Sequence, residues 1–253
     1  MNANDSIKRY SRQIILKEVG GQGQKLLMKS KVLIIGLGGL GSPVLQYLAA
    51  SGVGTIGLAD NDKVDLSNLH RQIIFSLKDI GSYKVSKAKK FISAVNSDIN
   101  VIPYKQKVDL LNVDKIISKY DIIVDCTDNH SSKLIINDAC YRRKKTLVYA
   151  SVSGFFGQVS TFKSFKIDGT GNPYPSYRCL KINQNNEDDC EHLGVLGPIA
   201  GVLGSIQATE VIKQILDEKE NLLGQLLIFD GLSYRMKLIK INWDQNNPLN
   251  GKS

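Results

Sequence analysis

A glycine-rich turn is the first feature of the sequence that could do chemistry. Residues 36–41 read GLGGLG, a GxGxxG pattern between an apolar run and a helical segment. Glycines in this pattern allow a tight turn and close backbone approach to a phosphate, and the helix that follows offers free N–H donors. Asp60 lies about 20 residues further on, where a carboxylate accepts hydrogen bonds from ribose hydroxyls. These features predict a nucleotide site and, on their own, favour NAD.

The segment after Asp60 carries more polar groups than a dinucleotide site needs. Residues 60–72 read DNDKVDLSNLHRQ and place Asp62, Asn68 and Arg71 in one loop. Arg71 offers phosphate a planar fork of donors, and Lys84 offers a point charge. A dinucleotide has one pyrophosphate to neutralise, whereas a triphosphate needs more cations. The loop therefore favours a nucleoside triphosphate.

A third polar segment, DCTDN at 125–129, follows another apolar run. Ligands of open α/β sheets bind at the carboxyl ends of the strands. A carboxylate at such an end, facing a polyphosphate, is a natural Mg²⁺ ligand. Each acid alone could equally cap a helix or lie in a solvated loop, but together they predict a metal-assisted nucleotide site.

Strands and helices alternate through the first 153 residues. Apolar runs bounded by glycine, such as 31–36, are typical of strands buried on both faces of a parallel sheet. Strands are predicted at 31–36, 55–60, 100–108, 121–128 and 146–152, and helices at 42–52, 84–96 and 132–143. Pro103 makes 100–108 an edge strand, and Asn112 is predicted to cap a short helix. The alternation predicts an α/β fold with a Rossmann-like, doubly wound, largely parallel sheet.

The pattern differs at the two ends of the chain. Residues 7–29 are predicted to be helical, with a break at Gly20, Gly21 and Gly23. After residue 153 we expect an antiparallel strand at 157–165, a polar crossing loop at 166–192, a helix at 198–216 and a hairpin at 225–241. The sheet is therefore predicted to be extended by antiparallel strands.

Composition and charge exclude several classes of protein. The chain has 33 Lys and Arg against 24 Asp and Glu, a net charge of +9, but the cations are scattered, which disfavours nucleic-acid binding. The N-terminus lacks an apolar h-region, and the longest uncharged apolar stretch, 193–208, is shorter than the roughly 18 residues that span a bilayer. The cysteines form no CxxC pair, and their spacing indicates no disulfide framework. Reduced thiols, as in cytoplasmic proteins, are therefore expected. We expect a cytoplasmic protein that does not bind a membrane.

Together the motifs resemble the ThiF/MoeB/HesA family, the bacterial branch of the ubiquitin-activating-enzyme superfamily. They are RYSRQI at 9–14, GLGGLGSP, the SNLxRQ block with its preceding aspartates, DCTDN, YRCL and GVLGPIAGVLGSIQATEVIK. The molybdopterin-synthase adenylyltransferase branch is the most similar, and the ThiF branch of thiamine biosynthesis follows. The resemblance implies an ATP-dependent adenylyltransferase that activates the C-terminal glycine of a ubiquitin-like sulfur carrier and releases pyrophosphate.

The resemblance also assigns site residues. It implies that Gly39 lies under the phosphates, that Asp60 holds the ribose and that Asp128 holds Mg²⁺. The predicted nucleotide site comprises Gly36, Gly38, Gly39, Gly41, Asp60, Asp62, Ser67, Asn68, Leu69, His70, Arg71, Lys84, Asp128 and Asn129. The predicted catalytic residues are Arg12, Arg71, Lys84, Asp128 and, with less support, Cys190.

The partners follow from the same resemblance. Arg12 matches an arginine that family members insert into the partner subunit's site, which implies a homodimer. We expect one adenylation domain over 1–253, with a nucleotide-binding part at about 1–153 and a carrier-binding part at about 154–253. We expect no sulfurtransferase-like domain after residue 253, and we therefore expect the sulfur donor to be a separate protein.

The cysteines separate this chain from some relatives. Cys190 matches a crossing-loop cysteine that some relatives link covalently to the carrier, but its acidic neighbours raise the pKa of a thiol. Zinc-binding relatives have a CxxC pair where this chain has Ser176 and Cys179, and a second pair near the C-terminus, where this chain has no cysteine. A single thiolate cannot hold tetrahedral Zn²⁺, so no zinc site is expected. Cys126 and Cys140 are expected to be inert packing thiols.

Three alternatives stay open at this point. An NAD-dependent oxidoreductase is favoured only by the GxGxxG pattern and Asp60. A non-catalytic scaffold of the same fold is disfavoured by the presence of Arg12, Arg71, Lys84 and Asp128. A same-family enzyme that acts on tRNA or a peptide is compatible with the motifs, and the positive charge agrees with the tRNA version.

Overall fold

The computed structural model describes residues 3–181 and 194–252, which form helices on both faces of one sheet. The helices are α1 (Ala3–Ile14), α2 (Gly20–Lys29), α3 (Gly41–Ala50), α4 (Lys84–Val95), α5 (Val113–Ile117), α6 (His130–Arg142) and α7 (Gly197–Leu216). The strands are β1 (Lys31–Ile35), β2 (Thr55–Ala59), β3 (Asn100–Tyr104), β4 (Ile122–Asp125), β5 (Thr146–Ser153), β6 (Phe156–Phe162), β7 (Gln225–Asp230) and β8 (Arg235–Lys240).

The sheet has the order β3-β2-β1-β4-β5-β6-β7-β8. Its first five strands pair in parallel, and β5 to β8 pair antiparallel. Because β1 lies between β2 and β4, the strand order reverses there, and in open α/β sheets this reversal is where ligands bind. The predicted largely parallel sheet with an antiparallel extension is confirmed.

The strand β1 shows why a continuous apolar run forms the middle of the sheet. Val32 and Ile34 face the core that contains residues of α3 and α7, whereas Leu33 and Ile35 face the core that contains residues of α5 and α6. All four side chains are buried. Alternate residues of a strand point to opposite faces, so only an apolar residue at every position satisfies both cores. This burial positions the glycine turn at the carboxyl end of β1.

Two predictions about helix ends are wrong in detail. The N-terminal helical break falls at residues 15–19, and Gly23 lies inside α2. A β-carbon at Gly23 would lie 2.7 Å from Cδ2 of Leu216, so this glycine permits close packing of α2 on α7. Asn112 precedes α5, but its side chain does not cap that helix. It donates instead to the carbonyl of Lys107 and accepts from the N–H of Asp109.

The antiparallel predictions agree with the structure. The strand β6 pairs antiparallel with β5, and the hairpin of β7 and β8 turns after Asp230, whose carboxylate accepts from the N–H of Leu232 at 2.9 Å. Pro103 lies in β3, which is an edge strand as predicted. Across residues 3–181 and 194–252, none of the helices combines the length and the apolar character needed to cross a membrane.

Candidate functional site

A cleft of about 750 Å³ lies at the carboxyl ends of the parallel strands. Most of the predicted nucleotide-site residues line it: Gly36, Gly38, Gly39, Asp60, Asp62, Asn68, His70, Arg71, Lys84, Asp128 and Asn129. Gly41 at the start of α3, and Ser67 and Leu69 near the short 3-10 helix Leu66–Asn68, are not among the lining residues. Cys190 lies outside the described residues.

The glycine loop is shaped by close backbone packing. Gly36 has φ of 91°, and a β-carbon there would lie 2.7 Å from the carbonyl oxygen of Cys126. At Gly39 a β-carbon would lie 3.1 Å from Cβ of Ala200 in α7. Only glycine has both the left-handed freedom and the small size that Gly36 requires. The loop therefore packs against the turn after β4 and leaves its remaining surface to the cleft.

Asp60 follows β2 and is held by two backbone hydrogen bonds. One carboxylate oxygen accepts from the N–H of Leu37 at 2.7 Å, and the other accepts from the N–H of Asp62 at 2.8 Å. Burial raises the pKa of Asp60, and the two backbone hydrogen bonds and nearby Lys84 oppose that shift. Each carboxylate oxygen can accept more than one hydrogen bond, so the side chain can still receive a ligand hydroxyl.

Lys84 begins α4 with its side chain almost fully buried. Its ammonium lies 2.9 Å from the carboxylate of Asp62, which is 58% exposed. Three N–H donors radiate from an ammonium, and Asp62 occupies only one of them. Asp62 thus holds the cation at the wall of the cleft, and Lys84 keeps donors for a second anion.

Arg71 is held by residues of its own loop. One of its guanidinium nitrogens donates to the carbonyl of Ser67 at 3.1 Å and lies 2.7 Å from Nε2 of His70. Because a guanidinium has no acceptor, Nε2 of His70 must accept in this contact. The side chain of Asn68 accepts from the N–H of Asp65, and that of Asp65 accepts from the N–H of Ser67. These local bonds fix the loop that carries Arg71.

The turn after β4 is fixed by a buried ion pair. Asp125 is fully buried, and one of its oxygens lies 3.3 Å from the ammonium of Lys133, which also donates to the carbonyl of Ala150 at 2.9 Å. The other oxygen accepts from the N–H and the hydroxyl of Thr127. A buried ion pair requires such additional partners because removing two charges from water is unfavourable. The ion pair and these hydrogen bonds hold the turn at the cleft.

Asp128 lies in the same turn, and its side chain is exposed. Its carboxylate accepts a 3.3 Å hydrogen bond from the side chain of Asn129, whose own oxygen caps α6 by accepting from the N–H of Ser132. Across the described residues, no three His, Cys, Asp or Glu side chains are close enough to hold a metal ion together. Magnesium in nucleotide sites usually uses one or two carboxylates, water and substrate phosphates. The exposed Asp128 carboxylate, at the end of β4, therefore fits Mg²⁺ that arrives with a nucleotide.

Arg12 lies away from the cleft of its own chain. It is in the last turn of α1, where its side chain is exposed, and it does not line the cleft. The neighbouring Tyr10 is buried and accepts a hydrogen bond from the side chain of Asn96 at 2.8 Å. Tyr10 thus anchors α1, while Arg12 stays available to another molecule.

The segment around Ser176 and Cys179 is closed by an amide near the C-terminus. Asn247 is buried and donates to the hydroxyl of Ser176 at 2.8 Å and to the sulfur of Cys179 at 3.1 Å. Its oxygen accepts from the N–H of Leu249. We name Ser176, Cys179 and Asn247 the polar clasp. It fastens residues 247–249 to the segment that contains Ser176 and Cys179.

We expect Asn247→Ala to lower the free energy of unfolding by about 1–3 kcal/mol, because it leaves buried polar partners unsatisfied. The exposed neighbour Asn246 supplies the matched control, and Asn246→Ala should stay within about 0.5 kcal/mol of the unsubstituted protein. Urea denaturation followed by circular dichroism measures both values. Equal midpoints for the two variants would show that the polar clasp adds no stability.

The remaining described cysteines are buried. Burial raises the pKa of the Cys126 thiol, which donates a weak hydrogen bond to the side chain of Gln207 at 3.4 Å. Burial also raises the pKa of Cys140 well above its usual range. A thiol whose ionised form is disfavoured is a poor nucleophile, so these groups serve packing, as expected.

Sequence reasoning missed several groups that line the cleft. They are Asn61, Gln72, Gln106, Lys107, Thr127, Ser132 and Ser151. Their position next to predicted site residues could have indicated two of them: Gln72 directly follows Arg71, and Thr127 precedes Asp128. Except for Lys107, these side chains are uncharged, so no charge pattern marks them as ligands.

Comparison with known proteins agrees with this geometry. A match to the ThiF family covers residues 10–249. The "Probable molybdopterin-synthase adenylyltransferase" of Porphyra purpurea is 42% identical over 92% of this chain and 60% of its own length. The "SAMP-activating enzyme E1" of Haloferax volcanii is 38% identical over 97% of this chain and 89% of its own length. This chain thus spans less than two thirds of the Porphyra protein and most of the Haloferax enzyme.

A solved structure shows the same fold. The crystal structure of E. coli MccB with ATP superposes with a TM-score of 0.81 at 25% identity, covering 95% of this chain and 74% of that one. The family match and the names of the two sequence relatives favour an adenylyltransferase over an NAD-dependent oxidoreductase.

Proposed function

Because the chain belongs to the ThiF family, we propose that it is an ATP-dependent adenylyltransferase that activates the C-terminal glycine of a ubiquitin-like sulfur carrier. The observation that carries the proposal is one cleft lined by the glycine loop, Arg71, Lys84 and Asp128. The glycine loop can approach phosphates closely, the cations neutralise their charge, and the carboxylate suits a metal ion. The names of the sequence relatives support adenylyl transfer as the reaction.

The chemistry needs little from the protein besides position and charge. A carboxylate oxygen of the carrier's C-terminal glycine attacks the α-phosphorus of ATP. A new oxygen–phosphorus bond forms, the bond to the β-phosphate bridge breaks, and pyrophosphate leaves. The attacking carboxylate is already ionised at neutral pH, so no general base is required. Stabilisation of phosphate charge by fixed donors then supplies most of the rate enhancement.

Each residue has a role in this scheme. Asp60 accepts from the ribose hydroxyls, and Gly39 leaves room for the phosphates. Arg71 and Lys84 donate to phosphate oxygens, and the ion pair with Asp62 keeps Lys84 at the cleft wall. Asp128 is the Mg²⁺ ligand in this proposal. When bound, Mg²⁺ would neutralise phosphate charge that the side chains leave uncompensated.

The proposal includes three protein partners. The carrier would bind the antiparallel part, at about 154–253, so that its C-terminus reaches the nucleotide-binding part at about 1–153. A second copy of this chain would supply Arg12, whose own side chain lies away from its cleft. Exposed Ile15 and Leu16 next to Arg12 supply apolar surface for that contact. Sulfur transfer to the adenylated carrier is assigned to a separate protein.

Adenylate formation tests the proposal directly. The purified chain is incubated with ATP and Mg²⁺, together with either the molybdopterin-synthase carrier or the thiazole-synthesis carrier, and the carrier is weighed by mass spectrometry. We expect one carrier to gain a single adenylyl group. Binding of a nicotinamide cofactor, or adenylylation of tRNA or a peptide with neither carrier modified, would favour the alternatives instead.

The proposal also predicts metal content. Elemental analysis of the purified protein should find much less than one zinc per chain, because Cys179 pairs with Asn247 and Ser176 in the polar clasp. One thiolate without further sulfur or imidazole partners does not make a tetrahedral zinc site. A stoichiometric zinc that resists chelators would overturn this expectation.

A further inference from the structure

The side chain of Gln72 is buried at the cleft with an unsatisfied acceptor. Gln72 is only 2% exposed and lines the cleft, yet within the described part of the chain its Oε1 has no hydrogen-bond partner. Its amide nitrogen lies beside Gly38: a β-carbon on Gly38 would be 3.8 Å from Nε2 of Gln72. A buried polar atom left unpaired destabilises a protein, so such an atom requires an explanation.

The surroundings of Gln72 include two parts of the site. The next residues upstream, His70 and Arg71, pack against the N-terminal turn of α7, where a β-carbon on Gly197 would collide with the carbonyl of His70. Val195, just before α7, forms a bridge with Gly154 at the end of β5. Gln72 thus lies beside Gly38 of the glycine loop, and the two residues before it pack against the start of α7.

The missing partner must be a hydrogen-bond donor. The phosphates of ATP carry only acceptors, so they cannot satisfy Oε1. Arg71 contacts Ser67 and His70, Lys84 contacts Asp62, and the proposed function assigns their remaining donors to the phosphates. The ribose hydroxyls belong near Asp60, at the end of β2. The protein substrate, in contrast, brings one donor beside the reacting atom, which is the backbone N–H of its C-terminal glycine.

We propose that Gln72 is a substrate-binding residue that accepts a hydrogen bond from this terminal glycine N–H. The inference rests on the proposed adenylation of a carrier protein. The hydrogen bond would orient the glycine carboxylate towards the α-phosphate, and the amide nitrogen of Gln72 would remain free to donate to a phosphate oxygen. Glutamine is suited to this place because it accepts without adding negative charge beside the phosphates.

Gln72→Leu distinguishes this role from a structural one. Loss of a structural hydrogen bond would lower the melting temperature, whereas replacing an unpaired buried amide with an apolar side chain should leave it equal or higher. We expect kcat/KM for the carrier to fall roughly tenfold, the effect of one hydrogen bond, with the Kd of ATP within about threefold. A clearly lower melting temperature with unchanged carrier kinetics would overturn the proposal.

A modified substrate tests the same contact from the other side. A carrier made by peptide ligation, with N-methylglycine as its last residue, lacks the proposed donor. The unsubstituted enzyme should prefer the glycine carrier to this analogue by about tenfold more than Gln72→Leu does, because the variant has no acceptor to lose. The steric effect of the methyl group is shared by both enzymes and cancels in the ratio. Equal discrimination by the two enzymes would refute the contact.

Gln214 provides the matched control. Its Oε1 is also buried without a partner among the described residues, but it lies in the last part of α7 and does not line the cleft. Gln214→Leu should therefore keep the carrier kinetics of the unsubstituted enzyme. If the unsubstituted enzyme modifies no carrier, the proposed function fails, whereas full activity of Gln72→Leu removes only the role of Gln72.

Discussion

Asp128→Ala is expected to abolish adenylation while the protein stays folded. The side chain is exposed, and the described structure gives it one weak hydrogen bond, from Asn129, so its loss removes almost no packing. A metal ion contributes several kcal/mol to stabilisation of transition-state charge, which corresponds to a loss of several powers of ten in rate. ATP–pyrophosphate exchange measures the rate, and circular dichroism checks the fold.

The strand β4 offers the control for this variant. Asp121 lies just before β4, at the amino ends of the parallel strands and away from the cleft. Its exposed carboxylate accepts a hydrogen bond from the N–H of Lys31. Asp121→Ala should keep the exchange rate, and Asp128→Asn, which keeps the shape but not the charge, should lose it. Exchange by Asp128→Ala within about tenfold of the unsubstituted enzyme would remove Asp128 from the mechanism.

Arg12→Ala is expected to reduce turnover by about 10²-fold or more, as loss of a fixed donor to transition-state charge typically does. The guanidinium is always charged and lies on the exposed side of α1, outside the cleft of its own chain. Arg9 lies in the same helix and donates to the carbonyl of Val95, so Arg9→Ala is the control and should retain turnover. Single-turnover adenylate formation gives the comparison.

Mixed dimers reveal which subunit Arg12 serves. When Arg12→Ala and Asp128→Ala chains are mixed equally, about half of the dimers are mixed, and each mixed dimer has one site with both residues. Activity should then recover to about a quarter of that of the unsubstituted enzyme. No recovery, with mixed dimers confirmed by native mass spectrometry, would mean that Arg12 acts within its own chain or has no role.

The features that sequence predicts well are those set by local chemistry. The apolar run of β1 and the glycines after it have few alternatives, because a strand buried on both faces and a tight turn each require those residue types. The hairpin after β7 and the edge position of Pro103 follow from similar local rules. The positions of Asp60 and Asp128 then follow from the parallel sheet, since strand ends share one edge.

Other features depend on residues far apart in the chain. Gly23 lies inside α2, where the absence of a side chain allows Leu216 to pack closely, and no local pattern in α2 reveals that contact. Asn247 closes the polar clasp on Ser176, 71 residues away. The ion pair of Lys84 with Asp62 likewise appears only when the loop is folded, although both residues were assigned to the site. Such contacts are set by tertiary packing, which a single sequence does not display.

Carrier-dependent ATP–pyrophosphate exchange tests the central claim most directly. Labelled pyrophosphate should enter ATP only when the enzyme is supplied with Mg²⁺ and a ubiquitin-like carrier that ends in glycine, because exchange requires reversible formation of the acyl-adenylate. A carrier that lacks its last glycine should give no exchange. Exchange that is indifferent to the carrier, or its absence with both carrier types, would contradict adenylation of a carrier by this protein.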